Sequence, residues 1–217
     1  MHIDIWSDVV CPFCYIGKAN LDAALKEAGV DADIHHKAFR LQPGQTPMPV
    51  DVMLAQKYGL TGAAAQAQQK RVVDMAAQSG LDFHLEDRRI GDTLDAHKLI
   101  KFAAAQGREI AMLERLYRAY FTDGEDVLDR DSLLALGAEI GLDPAGMTAA
   151  LDSPQLAAEV ETDQRMAASL NVSGVPFVVI DRKYAVSGAQ PVAAFLQALK
   201  AAAPVAEGDA CAIDGCD

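Results

Sequence analysis

Cys11-Pro12-Phe13-Cys14 places two thiols three positions apart, between a strand-like run and a helix-like one. Thiols at that spacing suit disulfide exchange: the first attacks a disulfide and forms a mixed disulfide, and the second, about one helical turn on, attacks that bond and releases the product. This order gives Cys11 the nucleophilic role and Cys14 the resolving role. Two other readings stand beside it. The pair can be unrelated buried cysteines, or half of a zinc site, since C-x-x-C also opens many zinc knuckles. A second C-x-x-C or a downstream H-x-x-x-H would favour zinc, and the sequence contains neither.

The flanking elements suit exchange chemistry. His2-Ile3-Asp4-Ile5-Trp6 alternates polar and apolar, as a short half-buried strand does. From Tyr15 to Ala28, Ile16, Ala19, Leu21, Ala24, Leu25 and Ala28 recur mostly at helical intervals, and Gly29 stops the run. A helix beginning near Cys11 offers the free N–H groups and positive dipole end of its first turn to a thiolate. Pro12 fits that turn, where no N–H partner is needed.

A second feature lies far along the chain. In Asn171-Val172-Ser173-Gly174-Val175-Pro176-Phe177-Val178-Val179-Ile180 a proline opens an otherwise buried strand, a place proline occupies only at a strand's end. A cis Val175-Pro176 bond in a tight turn satisfies that restriction, as does an ordinary trans proline at the strand's start. Beside the dithiol, such a loop would offer the Val175 backbone to an extended substrate.

The chain has 217 residues, 51% of them hydrophobic, enough for one domain, or one with a large insertion, and a sizeable core. No charged n-region with an apolar h-region opens the sequence, and no apolar run reaches about 18 residues, so neither a signal peptide nor a membrane span is expected. The expected compartment is the cytoplasm. A net charge of -12 opposes binding to nucleic acid or anionic membranes. Four cysteines are too few for a disulfide scaffold, and a reducing cytoplasm would not keep structural bridges closed.

Asp33 to Leu41 reads as a second strand, parallel to the first across the helix. Gln42 to Val50, with three prolines, reads as an irregular loop. Two helices are expected between Asp51 and about Gly80, and Leu81 to Ile90 is an extended or irregular link. Further helices are expected over Thr93–Gln106, Arg108–Phe121, Arg130–Ile140, Pro144–Leu151 and Pro154–Leu170. Val175–Ile180 and Tyr184–Ser187 form a hairpin across Asp181-Arg182-Lys183, and Pro191–Ala203 is a final helix. The expected architecture is α/β: βαβ, a large helical insertion, then ββα. Residues 1–41 and 171–203 form the core, 42–170 the insertion, and 204–217 an exposed tail.

Together these blocks resemble the DsbA family of the thioredoxin-fold superfamily, in its cytosolic FrnE-like branch, related to 2-hydroxychromene-2-carboxylate isomerases and kappa-class glutathione transferases. The residues carrying the resemblance are Asp8-Val9-Val10-Cys11-Pro12-Phe13-Cys14-Tyr15-Ile16-Gly17, Thr93-Leu94-Asp95-Ala96-His97, Tyr120-Phe121, Gly174-Val175-Pro176-Phe177 and Val186-Ser187-Gly188-Ala189-Gln190-Pro191. The resemblance implies a thioredoxin-like fold with a helical insertion between the second and third strands. It further implies catalytic Cys11 and Cys14, with Pro176 as a cis-proline preceded by Val175. Phe13 stands where members often carry Trp, and Asp92 where they often carry Asn; the latter adds an acid near the cleft.

The substrate-binding candidates are Val175, Pro176, Phe13 and His97. His97 suits a general base near a thiol and equally a packed or capping histidine. Asp8 either lies near the thiols or caps the turn. His35, His36 and His84 read as structural or exposed. In the tail, Cys211-Ala212-Ile213-Asp214-Gly215-Cys216 is a second dithiol. It is an accessory pair exchanging with Cys11-Cys14, an incidental exposed pair, or a contributor to joint zinc binding.

The expected function is thiol–disulfide oxidoreduction or isomerisation of protein or peptide disulfides, with no resident cofactor or metal and with glutathione or another thiol as candidate donor. The competing expectation is a glutathione-dependent isomerase or transferase of small aromatic substrates. Sister groups of that kind usually place Ser where Cys11 stands and do not need Cys14.

Overall fold

The computed structural model describes residues 1–203. Its chain runs β1 (His2–Ser7), α1 (Pro12–Ala28), β2 (Asp33–Ala38), β3 (Met48–Pro49), α2 (Val50–Tyr58), α3 (Gly62–Gln78), β4 (Arg89–Ile90) and α4 (Leu94–Ala104). It continues through α5 (Glu109–Arg118), a π-turn (Ala119–Asp123), α6 (Arg130–Glu139), α7 (Pro144–Asp152), α8 (Pro154–Ser169), β5 (Phe177–Ile180), β6 (Tyr184–Ser187) and α9 (Val192–Ala202). Among the described residues no helix is long and apolar enough to cross a membrane.

Four strands form a mixed sheet in the order β2-β1-β5-β6. The β1–β2 pair is parallel, and α1 is its crossover. β5 runs antiparallel to β1, with Ile3 opposite Ile180 and Trp6 opposite Phe177, and β6 closes the antiparallel edge. That register sets the carboxyl end of β1, which leads into Cys11, beside the amino end of β5, which follows Pro176. The two motifs meet because of it.

The sheet buries two apolar clusters. One joins Ile3, Ile5, Val178 and Ile180 of the sheet to Leu21 and Leu25 of α1 and Phe195 and Leu199 of α9. The other joins Val9, Val10, Cys11, Cys14 and Ile16 to residues of the helical insertion, among them Leu99, Leu113, Tyr117 and Phe121. The dithiol is therefore walled by the insertion.

Where elements differ from expectation, tertiary partners account for the difference. β2 ends at Ala38 rather than Leu41, because the Arg40 N–H donates to the Gln164 side chain and the Leu41 N–H to Asp8. β5 begins at Phe177, since Pro176 has no N–H to give the sheet. The proline-rich loop and the 81–90 link each contribute two residues to a small antiparallel pair, Met48 opposite Ile90 and Pro49 opposite Arg89. Helix α5 gives way to the π-turn where the Tyr120 hydroxyl donates to the Arg89 carbonyl at 2.7 Å.

Gly17, inside α1, faces the proline loop. A Cβ on Gly17 would lie 2.7 Å from Pro176 Cγ and 3.5 Å from Ala189 Cα. Asn20 fastens the same face by donating to the Gln190 carbonyl at 2.9 Å. Alanine here would gain about 1 kcal/mol of helix propensity, and overpacking would cost about 1–3 kcal/mol. Gly17→Ala is therefore expected to lower stability and to slow disulfide exchange by displacing the proline loop. Denaturant unfolding together with an insulin-reduction assay checks this; wild-type exchange in the variant would refute it.

Candidate active site

Cys11 is the N-cap residue of α1, in extended conformation, with Pro12 in the first turn. This position lets Cys11 accept the first-turn bond from Cys14 N–H at 3.0 Å through its carbonyl, while its side chain stays outside the helix. The first-turn N–H groups and the helix dipole favour negative charge there. The two thiols are not bonded to each other. Cys11 retains 4% of its surface and Cys14 none. Only the first is placed to meet another sulfur.

The Val175–Pro176 peptide is cis, and the Cys11 thiol donates to the Val175 carbonyl at 3.8 Å. Pro176 is buried, while Phe13 and Val175 are partly buried against the cluster that holds both cysteines. Three of the four expected substrate-binding residues thus surround Cys11. His97 does not join them: it is completely enclosed, beside Asp8 and His36.

Behind the dithiol lies a polar chamber. Asp8, wholly buried, accepts from the Leu41 N–H at 2.7 Å through one oxygen and sets the other 3.4 Å from His97 Nε2. Its backbone carbonyl accepts from Cys11 N–H at 3.1 Å. Asp8 therefore both lies near the thiols and caps the chain after β2. The His97 ring stacks on His36, with centroids 5.2 Å apart and planes 13° apart. Ser7 and Tyr117 bring further buried hydroxyls beside it, and Thr93, whose carbonyl accepts from the His97 N–H at 3.0 Å, brings a third.

This surrounding acts on the titratable groups. Burial pushes the Cys14 thiol well above its ordinary range, helped by its hydrogen bond and charge interaction with Cys11 and by the charge of Asp8. Burial also pushes Tyr117 well up, and negative charge at Cys14 adds to the effect. His36 is pushed well down, first by burial and then by His97 and Lys101. Asp92, the acid expected near the cleft, is paired with Arg40. Arg40 Nη1 reaches both of its oxygens at 3.0 Å, and the Gly44 and Leu94 N–H groups donate to it at 2.7 and 3.1 Å.

Sequence reasoning passed over His36, Thr93 and Tyr117 as parts of the site. Tyr117 sits at helical spacing from Leu113 and beside Leu116, so it reads as core, and only the tertiary structure turns its hydroxyl toward the thiols. Gly17 carried a signal, an interior helix glycine six residues past Cys11. Cys211 and Cys216 lie outside the described residues.

A four-stranded mixed sheet, a helix begun by C-x-x-C, and a proline loop against the first cysteine define a thioredoxin-like protein of the thiol-oxidoreductase kind. Its family follows from sequence: residues 2–200 match the DSBA-like thioredoxin domain, and the chain belongs to that family. A probable DsbA oxidoreductase of Streptomyces coelicolor is 40% identical with a TM-score of 0.87, over 100% of this chain and 98% of that one. The cytosolic disulfide reductase DsbM of Pseudomonas aeruginosa, solved with GSH, shares the fold at 23% identity and a TM-score of 0.67, covering 93% of this chain and 98% of that one. An uncharacterized protein, YwbO, of Bacillus subtilis is 29% identical over 154 residues, 70% of this chain and 72% of its own.

The buried histidine gives the site a measurable pH signature. On unfolding, His36 regains the ordinary imidazole pKa of about 6.5, so its contribution to stability is present above that pH and is lost as pH falls below it. His36→Gln is expected to flatten the acid limb of the stability curve by up to about 1.4 kcal/mol per pH unit. Urea midpoints measured from pH 7 downward test this; parallel wild-type and variant curves would refute it.

Proposed function

We propose that this protein exchanges disulfides in protein or peptide substrates through Cys11 and Cys14, using no resident cofactor. The carrying observation is the asymmetry of the pair: Cys11 keeps access at a helix N-terminus against the Val175 carbonyl, while Cys14 is sealed one turn deeper. In the reductive direction the Cys11 thiolate attacks a substrate sulfur, and the substrate S–S bond breaks with its electron pair leaving on the second substrate sulfur. Cys14, after losing its proton, attacks Cys11 Sγ. The Cys11–Cys14 disulfide closes, the first substrate sulfur leaves as thiolate, and two electrons have passed to the substrate. The reverse steps oxidise a dithiol, and alternation of the two isomerises disulfides.

The environment of Cys14 makes its deprotonation the demanding event. Asp8 opposes a thiolate at Cys14. His97 Nε2 stands 3.4 Å from the Asp8 carboxylate, which makes His97 a positioning residue acting through Asp8. Val175, Pro176 and Phe13 form the rim on which an extended substrate segment pairs with backbone. Glutathione or another small thiol serves as donor and the cytoplasm as compartment; the support is the fold shared with DsbM, described as cytosolic and solved with GSH. The tail dithiol Cys211-Cys216 is proposed as an accessory exchange partner.

The fold shared with a 2-hydroxychromene-2-carboxylate isomerase, at 17% identity and a TM-score of 0.67, supplies the second reading, glutathione-dependent isomerisation of small aromatics. The enclosed Cys14 beneath Cys11 favours exchange, because isomerisation has no use for a resolving thiol.

Insulin reduction should fall to background in Cys11→Ser protein. Cys14→Ser protein should accumulate mixed disulfides on Cys11, with mass mapping showing whether Cys211 or Cys216 is among the partners. Wild-type reduction by Cys11→Ser protein would overturn the assignment. The raised Cys14 thiol gives a second outcome. With Cys11, Cys211 and Cys216 replaced by serine, ultraviolet thiolate absorbance should titrate above the ordinary thiol pKa of about 8.5. A midpoint at or below that value would show that the chamber does not hold Cys14 protonated.

A further inference from the structure

At the far end of β1 from the dithiol, the two parallel strands arrange four polar residues in a checkerboard. The register pairs His2 with Asp33 and Asp4 with His35, and strand alternation puts all four on one face. Within β1, His2 Nε2 lies 3.1 Å from Asp4 Oδ2; within β2, His35 Nε2 lies 2.9 Å from Asp33 Oδ2. The two imidazole rings face each other with centroids 4.8 Å apart and planes 32° apart. One ligand atom from each of His2, Asp33 and His35 falls within 4.8 Å of the other two.

We propose that His2, Asp33 and His35 form a site for a borderline divalent transition metal, of which Zn²⁺ is the best match. Two imidazoles and a carboxylate are a donor set that zinc takes readily, whereas calcium and magnesium prefer oxygen alone. Bonds of 2.0–2.1 Å in tetrahedral geometry hold neighbouring donor atoms about 3.3 Å apart. The observed spacing of up to 4.8 Å has to contract to reach that value, and all three side chains retain exposed surface. Water fills the fourth position, or Asp4 does after leaving Lys37, whose Nζ lies 3.3 Å from Asp4 Oδ1. Otherwise Asp4 acts as the outer carboxylate that orients His2.

Its place in the fold sets its effect. Ligands from both β1 and β2 make the ion a clasp across the parallel pair. Five residue steps separate His2 from Ser7, about 17 Å of strand, so the ion is remote from the sulfur chemistry. The predicted consequence is stabilisation of the sheet rather than a part in exchange.

The test uses full-length protein without an affinity tag, in which Cys11, Cys14, Cys211 and Cys216 are all replaced by serine so that no thiol competes for zinc. Calorimetric titration with Zn²⁺ should show saturable one-to-one binding, and zinc should raise the melting temperature. His2→Ala and His35→Ala should each weaken binding at least tenfold, and Asp33→Asn should weaken it several-fold while keeping side-chain shape. His84→Ala, at an exposed histidine elsewhere, should leave it unchanged, and far-UV circular dichroism verifies that each variant is folded. Absence of saturable binding, or binding unaltered in both His2→Ala and His35→Ala, would overturn the proposal and leave the cluster as two histidine–aspartate contacts. The Cys11 and Cys14 exchange assays are independent of this outcome.

Discussion

The antiparallel register between β1 and β5 is the constraint on which the site depends. Trp6 lies opposite Phe177, so the chain that leaves β1 toward Cys11 runs beside the chain that enters β5 from Pro176. A slip of one residue would turn Val178 and Ile180 away from the core they share with Ile3 and Ile5. The apolar core thereby locks the register, and the register brings together two motifs about 160 residues apart in sequence. Gly17 then sets how closely they approach, since any larger side chain there collides with the Pro176 ring.

The second constraint is the cost of burying polar groups. Unpartnered buried groups each cost about 1–3 kcal/mol, and among the described residues the surroundings of the dithiol gather several, on Asp8, His36, Thr93 and His97. Such a cluster costs the fold stability. Burial first, then Cys11 and the charge of Asp8, push the Cys14 thiol upward, while Cys11 at the mouth of α1 retains some surface. Burial and charge give two chemically identical side chains different surroundings.

The helical insertion supplies much of this environment. Tyr15, the residue after Cys14, stacks on Tyr117 with centroids 4.8 Å apart, and Lys18 of α1 donates to Glu114 of α5 at 2.8 Å. Arg40, two residues past β2, joins Asp92 before α4 and Glu161 of α8. The insertion is thus fastened to the core on both sides of the dithiol.

Most elements were legible in the sequence because each is decided locally. Apolar spacing and Gly29 define α1, alternation defines β1, and the Asp181-Arg182-Lys183 turn defines the β5–β6 hairpin. The C-x-x-C at the start of α1 and the proline loop were legible for the same reason, as short motifs. What tertiary structure alone decided concerns partners distant in the chain. The β3–β4 pair exists because Met48 meets Ile90. Asp92 is paired because Arg40 reaches it, and His97 is enclosed beside Asp8 and His36. The sequence by itself determined which atoms are reactive and which segments are regular, because propensity and side-chain chemistry are properties of the residue and its near neighbours. The structure decided which charges those atoms feel and which of them a substrate can touch, because burial and electrostatics depend on whatever the fold brings within a few ångströms.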